Sequence, residues 1–290
     1  MSSAAFIELL IGGVLLGGIY ALMASGLNLI FGVMRVINFA HGDILAIGAL
    51  LTVSLVGSLA IPYAFALIIV PAITALLGYV IQTVLIRRIA DGPTIMSLLA
   101  TYGVSVILVN AAILIWGGSF HGLPGVLTGS VKFLGANVAL SRLVAFAVAM
   151  AVCLGVWFLL QATRFGRAVR SVSQAPELAT ISGISIERVR NATFALGSAM
   201  AGLAGVLLAP TFASDPQMGS RFIVKAFAVI IVGGMGSYPG AIIGALLLGV
   251  IEVFASWWTG AVIGSAVLYL IMLAMLLVRP SGLLGVRVRA

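Results

Sequence analysis

The sequence predicts an all-α membrane protein, a polytopic bundle of eight or nine transmembrane helices with interrupted helices and a helical platform outside the bilayer. Three observations carry this. The chain is 62% hydrophobic and 8% charged, a balance that no water-soluble domain sustains. Its charges are separated by apolar intervals at 9–34, 44–86, 92–131, 143–163, 191–214, 226–251 and 253–278, each able to hold the roughly 20 residues that cross a bilayer. One long polar segment, 161–190, interrupts this pattern and holds Arg164, Arg167, Arg170, Arg188 and Arg190.

Taken in order, the first span is expected at 6–31, with Gly12, Gly13, Gly17 and Gly18 about a turn apart, which allows another helix to approach closely. Its lower end runs G-L-N-L-I-F-G-V-M-R-V-I-N-F-A-H-G-D. Polar groups at membrane depth are buried in protein or line a wet cavity, which makes Asn28, Asn38, His41 and Asp43 candidates for the wall of a translocation path beside a broken helix. The alternative is a short cytoplasmic turn in which Asn38, His41 and Asp43 cap a helix starting near Ile44.

Gly57, Ser58 and Pro62 divide the next interval into spans at 43–60 and 62–86. A span at 94–116 leads to a Gly-rich external loop, 117–138, holding His121 and Lys132. Spans at 139–160 and 189–211 flank the platform, and Ser198, Gly202 and Gly205 in the second suit tight helix packing. A second external loop, 212–221, offers Asp215 and Arg221 as candidates for docking a partner by charge. The last spans are a short one at 222–236, then 239–256 and 261–278. The apolar part of 222–236 before Gly233 is too short to cross alone, so the count is nine, or seven if this piece is re-entrant. Glu252 falls near the outer end of its span, either as a structural acid or facing the pathway. A faint repeat joins two breaks to similar helices, H-G-D-I-L-A-I-G-A-L-L and G-G-M-G-S-Y-P-G followed by A-I-I-G-A-L-L-L-G. Matching interrupted helices are a transporter device, although two Gly/Ala-rich helices also match by chance.

Within the platform, Phe165, Val169 and Val172 fall at helical spacing. Pro176 suits the first turn of a second short helix that stops at Gly183. Ser185 is the expected N-cap of the following span, with Glu187 in its first turn. The net charge of +8 is spread over helix ends and not gathered on a soluble face, which argues against a nucleic-acid partner. The positive-inside rule makes Arg87, Arg88, the platform arginines, Arg279, Arg287 and Arg289 cytoplasmic. The N-terminus, with Glu8 and no basic residue, is then outside, and its first residues lack the basic start of a signal peptide. A single cysteine, Cys153, excludes an internal disulfide.

The chemistry of an enzyme is missing. His41 and His121 are expected in loops on opposite sides, no H-E-x-x-H or G-x-x-x-x-G-K-[ST] occurs, and no metal cluster or cofactor motif is present. Only Asp43 and Glu252 are carboxylates near membrane depth, fewer than an ion-coupled pump uses. The expectation is a pore-forming subunit that draws its energy from elsewhere through the platform.

The first break closely resembles the start of permease subunits from branched-chain amino acid ABC importers. R-F-G-R-A-V-R-S-V-S-Q-A-P-E-L-A-T-I-S-G-I, F-A-L-G-S-A-M-A-G-L-A-G-V-L and V-I-I-V-G-G-M-G-S-Y-P-G-A-I-I-G-A resemble the same family in the same order, over nearly the whole chain. N-F-A-H-G is also similar to what urea and short-amide importers of that family carry. The resemblance implies a single transmembrane permease domain over 1–290 in a prokaryotic cytoplasmic membrane. Its partners would be a homologous second permease, two cytoplasmic ATP-binding subunits, which bind the ATP, and an extracytoplasmic substrate-binding protein. It also implies that the short helix from Pro176 to Ser182, within loop 161–190, is the cytoplasmic coupling helix. Gln174, Glu177 and Gly183 match the family's recurrent positions, Pro176 opens the coupling helix, and Leu178 and Ile181 are apolar anchors for a groove on the ATPase. Leucine, isoleucine and valine are the expected cargo, with ATP-driven alternating access as the mechanism. A stand-alone channel or secondary carrier is the rival from another class.

Overall fold

The computed structural model describes residues 3–89, 92–123, 125–133 and 136–285; Arg287 and Arg289 lie outside them. The chain runs α1 (Ser3–Met34), α2 (Ala40–Thr52), α3 (Tyr63–Ile81), α4 (Arg87–Ile89), α5 (Thr94–Trp116), β1 (Ser130–Phe133), β2 (Ala136–Ala139), α6 (Leu140–Ala162), α7 (Arg164–Gln174), α8 (Pro176–Ile181), α9 (Ile186–Leu208), α10 (Met218–Gly233), α11 (Tyr238–Thr259) and α12 (Ala261–Val278). π-helical turns extend α2 through Val53–Ser58 and join α3 to α4 through Gln82–Ile86. Eight helices among the described residues are long and apolar enough to cross a membrane, and the protein is an all-α polytopic membrane protein.

The helices pack through small residues, since lipid offers no hydrophobic gain for helix association and close backbone approach must supply the contact. A Cβ on Gly13 or Gly17 of α1 would meet the α11 backbone at Val250 or Leu246, at 2.6 and 2.8 Å. Gly48 of α2 faces Gly202 of α9 in the same way, and Gly205 meets Leu45 O. The predicted small-residue stripe of 189–211 therefore holds α2 and α3 against α9, with Thr74 of α3 seated on Gly202. Of the most apolar stretch of α9, 78% of the residues are buried, against 11% for α5 and α12, which lie at the periphery of the bundle.

Cross-links between loops fix the two faces. On one, Arg87 pairs with Glu187 at 2.6 Å, and Asn28 of α1 bonds the α10–α11 turn. Leu283 N and Leu284 N after α12 donate to Val232 O and Gly233 O at the end of α10. On the opposite face, His121 and Ser214 exchange backbone bonds of 2.8 Å, so the loops after α5 and after α9 lie together. The chain therefore passes from one face to the other through α10. At 16 residues α10 is shorter than the eight helices long enough to cross a membrane, and it starts inside the bundle, where Gly219 meets Gly42. The expected span 222–236 is observed as Met218–Gly233, and Lys225 within it is paired with Glu252. The second external loop is correspondingly shorter than 212–221. The first one is not structureless: β1 and β2 form an antiparallel hairpin within and just beyond 117–138.

Candidate functional site

Two chain breaks meet on the platform face. α1 stops where Arg35 takes φ 54, a left-handed conformation that a non-glycine residue rarely adopts. The second break, between α10 and α11, needs glycine: Gly234 and Gly236 have φ 111 and 82, and Gly234 presses on Gly285. Ser237 then caps α11 by accepting from Gly240 N, with proline at the helix start. Asn28 ties the breaks together. Its Nδ2 donates to Ser237 O and its Oδ1 accepts from Gly236 N, both at 2.7 Å. Both functional atoms of this path candidate are thus committed to the backbone of the turn.

From Arg35 the chain turns back into the bundle. Thr101 of α5 donates to Ile37 O and accepts from Phe39 N, holding the segment extended. α2 begins at Ala40 with Phe39 as N-cap residue and no side-chain cap, so Asn38, His41 and Asp43 do not cap it. His41, expected in a loop, lies inside α2, its Nε2 3.1 Å from Met23 O, about three turns above the end of α1. The segment from Arg35 to Phe39 therefore leaves the platform face and re-enters the bundle. Asn38 and His41 are fully buried and Asp43 nearly so. Among the described residues both amide atoms of Asn38, Nδ1 of His41 and Oδ2 of Asp43 have no hydrogen-bond partner. Gly42 and Gly219 bring α2 and α10 into backbone contact beside Asp43, and Phe39 meets Tyr102 edge to face and Phe227 at a tilt, at centroid distances of 6.5 and 5.3 Å.

The platform is an amphipathic pair of short helices. Thr163 caps α7 at Gly166, while Val169 and Val172 turn into the bundle. Ala175 breaks the helix and Pro176 opens α8, whose only buried side chain is Ala179. Gly183 ends it with φ 78, and Ser185 caps α9 by accepting from Arg188 N. Leu178 and Ile181 point outward, 63% and 83% exposed, and Gln174, Pro176 and Glu177 lie on the same open surface. A polar cavity of about 350 Å³ lies between this platform and the first break, bounded by Arg35, Val36, Ser97, Gln174, Pro176 and Arg190. The platform and the break thus share a wall.

On the opposite face, Asp215 and Arg221 are brought together, but as an ion pair with each other. Asp215 is 4% exposed and also accepts from Gln217 N at 2.9 Å. Its carboxylate fixes the start of α10, and only Arg221 presents an open side chain.

A second intramembrane polar cluster includes a residue that sequence reasoning passed over. Lys225 of α10 donates to Glu252 Oε1 of α11 at 2.6 Å and to Tyr20 Oη of α1 at 3.0 Å. Tyr20 donates to Glu252 Oε2 at 2.8 Å, and Ser265 of α12 donates to Oε1 at 2.9 Å. A lysine inside an otherwise apolar run requires an acid at matching depth, and Glu252 is the one acid on the following helix; that pairing was the available signal.

The family described as "branched-chain amino acid transport system / permease component" matches residues 9–276. The chain is 31% identical to the LivH permease protein of the high-affinity branched-chain amino acid transport system of Salmonella typhimurium, covering 97% of this chain and 96% of the relative. The BraD permease protein of Pseudomonas aeruginosa is likewise 31% identical, with coverage of 97% and 96%. A probable branched-chain amino acid transport permease protein, LivH of Methanocaldococcus jannaschii, is 31% identical, covering 95% and 91%. No solved structure matches the chain.

Proposed function

Because the chain belongs to the branched-chain amino acid transport permease family, we propose that it is the membrane subunit of an ABC importer carrying leucine, isoleucine, valine or related apolar amino acids into a prokaryotic cell. It works as one permease domain, by alternating access, with a homologous second permease, two ATP-binding subunits and an extracytoplasmic binding protein. The observation that carries this reading is the α7–α8 platform. Leu178 and Ile181 stand exposed on a short helix of the polar, arginine-rich platform, as anchors for a partner's groove. The platform face is then cytoplasmic, the first residues of α1 are outside and the end of α12 is inside.

The chain has no phosphate loop, so ATP acts on partner subunits. Movement of α8 reaches the 35–39 break across their shared cavity wall. Inward of that cavity, the buried polar atoms of Asn38, His41 and Asp43 without protein partners offer a polar lining that is not strongly charged, which a zwitterion can leave as well as enter. The platform is tested in vesicles holding the complete transporter. Leucine uptake should require ATP, and Leu178→Asp or Ile181→Asp should leave the permease folded while ATP hydrolysis no longer drives uptake. Loss of one such anchor weakens docking by about 2 kcal/mol, roughly thirtyfold. Flux that survives removal of ATP and of all partners would instead make the protein a channel or secondary carrier.

A further inference from the structure

A cavity of about 300 Å³ opens on the face opposite the platform, among the ends of α1, α6, α9 and α11. Along α1, Glu8, Gly12, Leu15 and Ile19 follow one helical stripe from its mouth to its floor, and Val253 of α11 closes the floor. Arg142, in the first turn of α6, stands at the rim with Glu8, and both are exposed. Neither forms an ion pair among the described residues, although they border the same space. Thr211, just beyond α9, adds a buried hydroxyl without a hydrogen-bond partner. The crevice thus combines one fixed positive charge, one fixed negative charge and one spare hydroxyl with an aliphatic floor.

We infer that this crevice is an entry site for a free α-amino acid with an apolar side chain, its carboxylate on Arg142, its ammonium on Glu8 and its side chain among Leu15, Ile19 and Val253. This rests on the transport reading above and adds to it a site on the permease itself. The volume is at the low end for small-molecule pockets, which suits a single amino acid. Opposite charges that do not neutralise each other match a zwitterion, whereas an anionic lipid headgroup would be repelled by Glu8. Gly12 keeps the crevice open: a Cβ there meets nothing nearer than Val253 Cγ1 at 4.0 Å. The floor also adjoins the closed ionic cluster, because Ile19 precedes Tyr20 and Val253 follows Glu252 in the chain.

The test uses the permease assembled with its second permease and ATP-binding subunits in nanodiscs, without the binding protein, and measures equilibrium binding of tritiated leucine. Saturable binding is expected, weakened about tenfold or more by Arg142→Gln or Glu8→Gln, the scale of one charge-assisted hydrogen bond. Leucine amide should be indifferent to Arg142→Gln, and 4-methylpentanoate indifferent to Glu8→Gln. Gly12→Leu should fill the crevice and abolish binding with the thermal transition unchanged. Leucine binding that ignores all three substitutions would overturn the site, as would a phospholipid retained there that leucine cannot displace. Absence of ATP-driven leucine uptake by the complete wild-type transporter would instead overturn the transport reading, so the two failures are distinguishable.

Discussion

Glu252 and Asn38 are both buried polar groups in the interior of the bundle, and their surroundings are opposites. Glu252 receives Lys225, Tyr20 and Ser265, so α1, α10, α11 and α12 meet at one charge-neutral knot. Asn38 sits at a helix break where its amide finds no partner among the described residues, beside similarly unsatisfied atoms of His41 and Asp43. In a low-dielectric interior a fully satisfied polar network rigidifies, while an unsatisfied one costs free energy that persists only where something else needs those groups. The knot accordingly holds helices in register, and the break is the part suited to move or to meet a passing solute.

Removing one partner from the knot should give the largest effect. Lys225→Met leaves Glu252 buried without its counter-charge, a loss of about 3–5 kcal/mol. Thermal unfolding of the purified permease should show a large drop for the single variant and near-recovery for Lys225→Met with Glu252→Leu, since replacing both charges by apolar groups is close to neutral. A double variant as unstable as the single one would break the comparison, because the knot would then not be a balanced pair. Ser265→Ala should be milder, about 1 kcal/mol, because Lys225 still holds Glu252 Oε1. A loss as large as that of Lys225→Met would mean that the hydroxyl, and not the ion pair, secures the knot.

The contrast also explains what the sequence made legible. Helix count and order followed from apolar intervals, and the platform from caps with local signatures: Pro176, Gly183 and Ser185 act on neighbouring backbone, so spacing alone locates them. The start of the span at 222–236 was less legible, because what anchors Lys225 within α10 is Glu252, 27 residues away, which only the fold brings beside it. Asn28 was equally illegible in its role. Its polarity marked it for the path, but its partners lie over 200 residues later, in a turn that only tertiary structure delivers. For Asp215 and Arg221, sequence shows two charges in a loop and not that they pair with each other.

The smallest expected change in stability belongs to the break, and it tests the division between holding and moving most directly. Asn38→Leu keeps the side chain's size and removes an amide that has no hydrogen-bond partner among the described residues. The account predicts a thermal transition equal to or above that of the wild type, together with a clear fall in ATP-driven leucine uptake by the complete transporter in vesicles. Undiminished uptake, or a loss of stability approaching that of Lys225→Met, would contradict it.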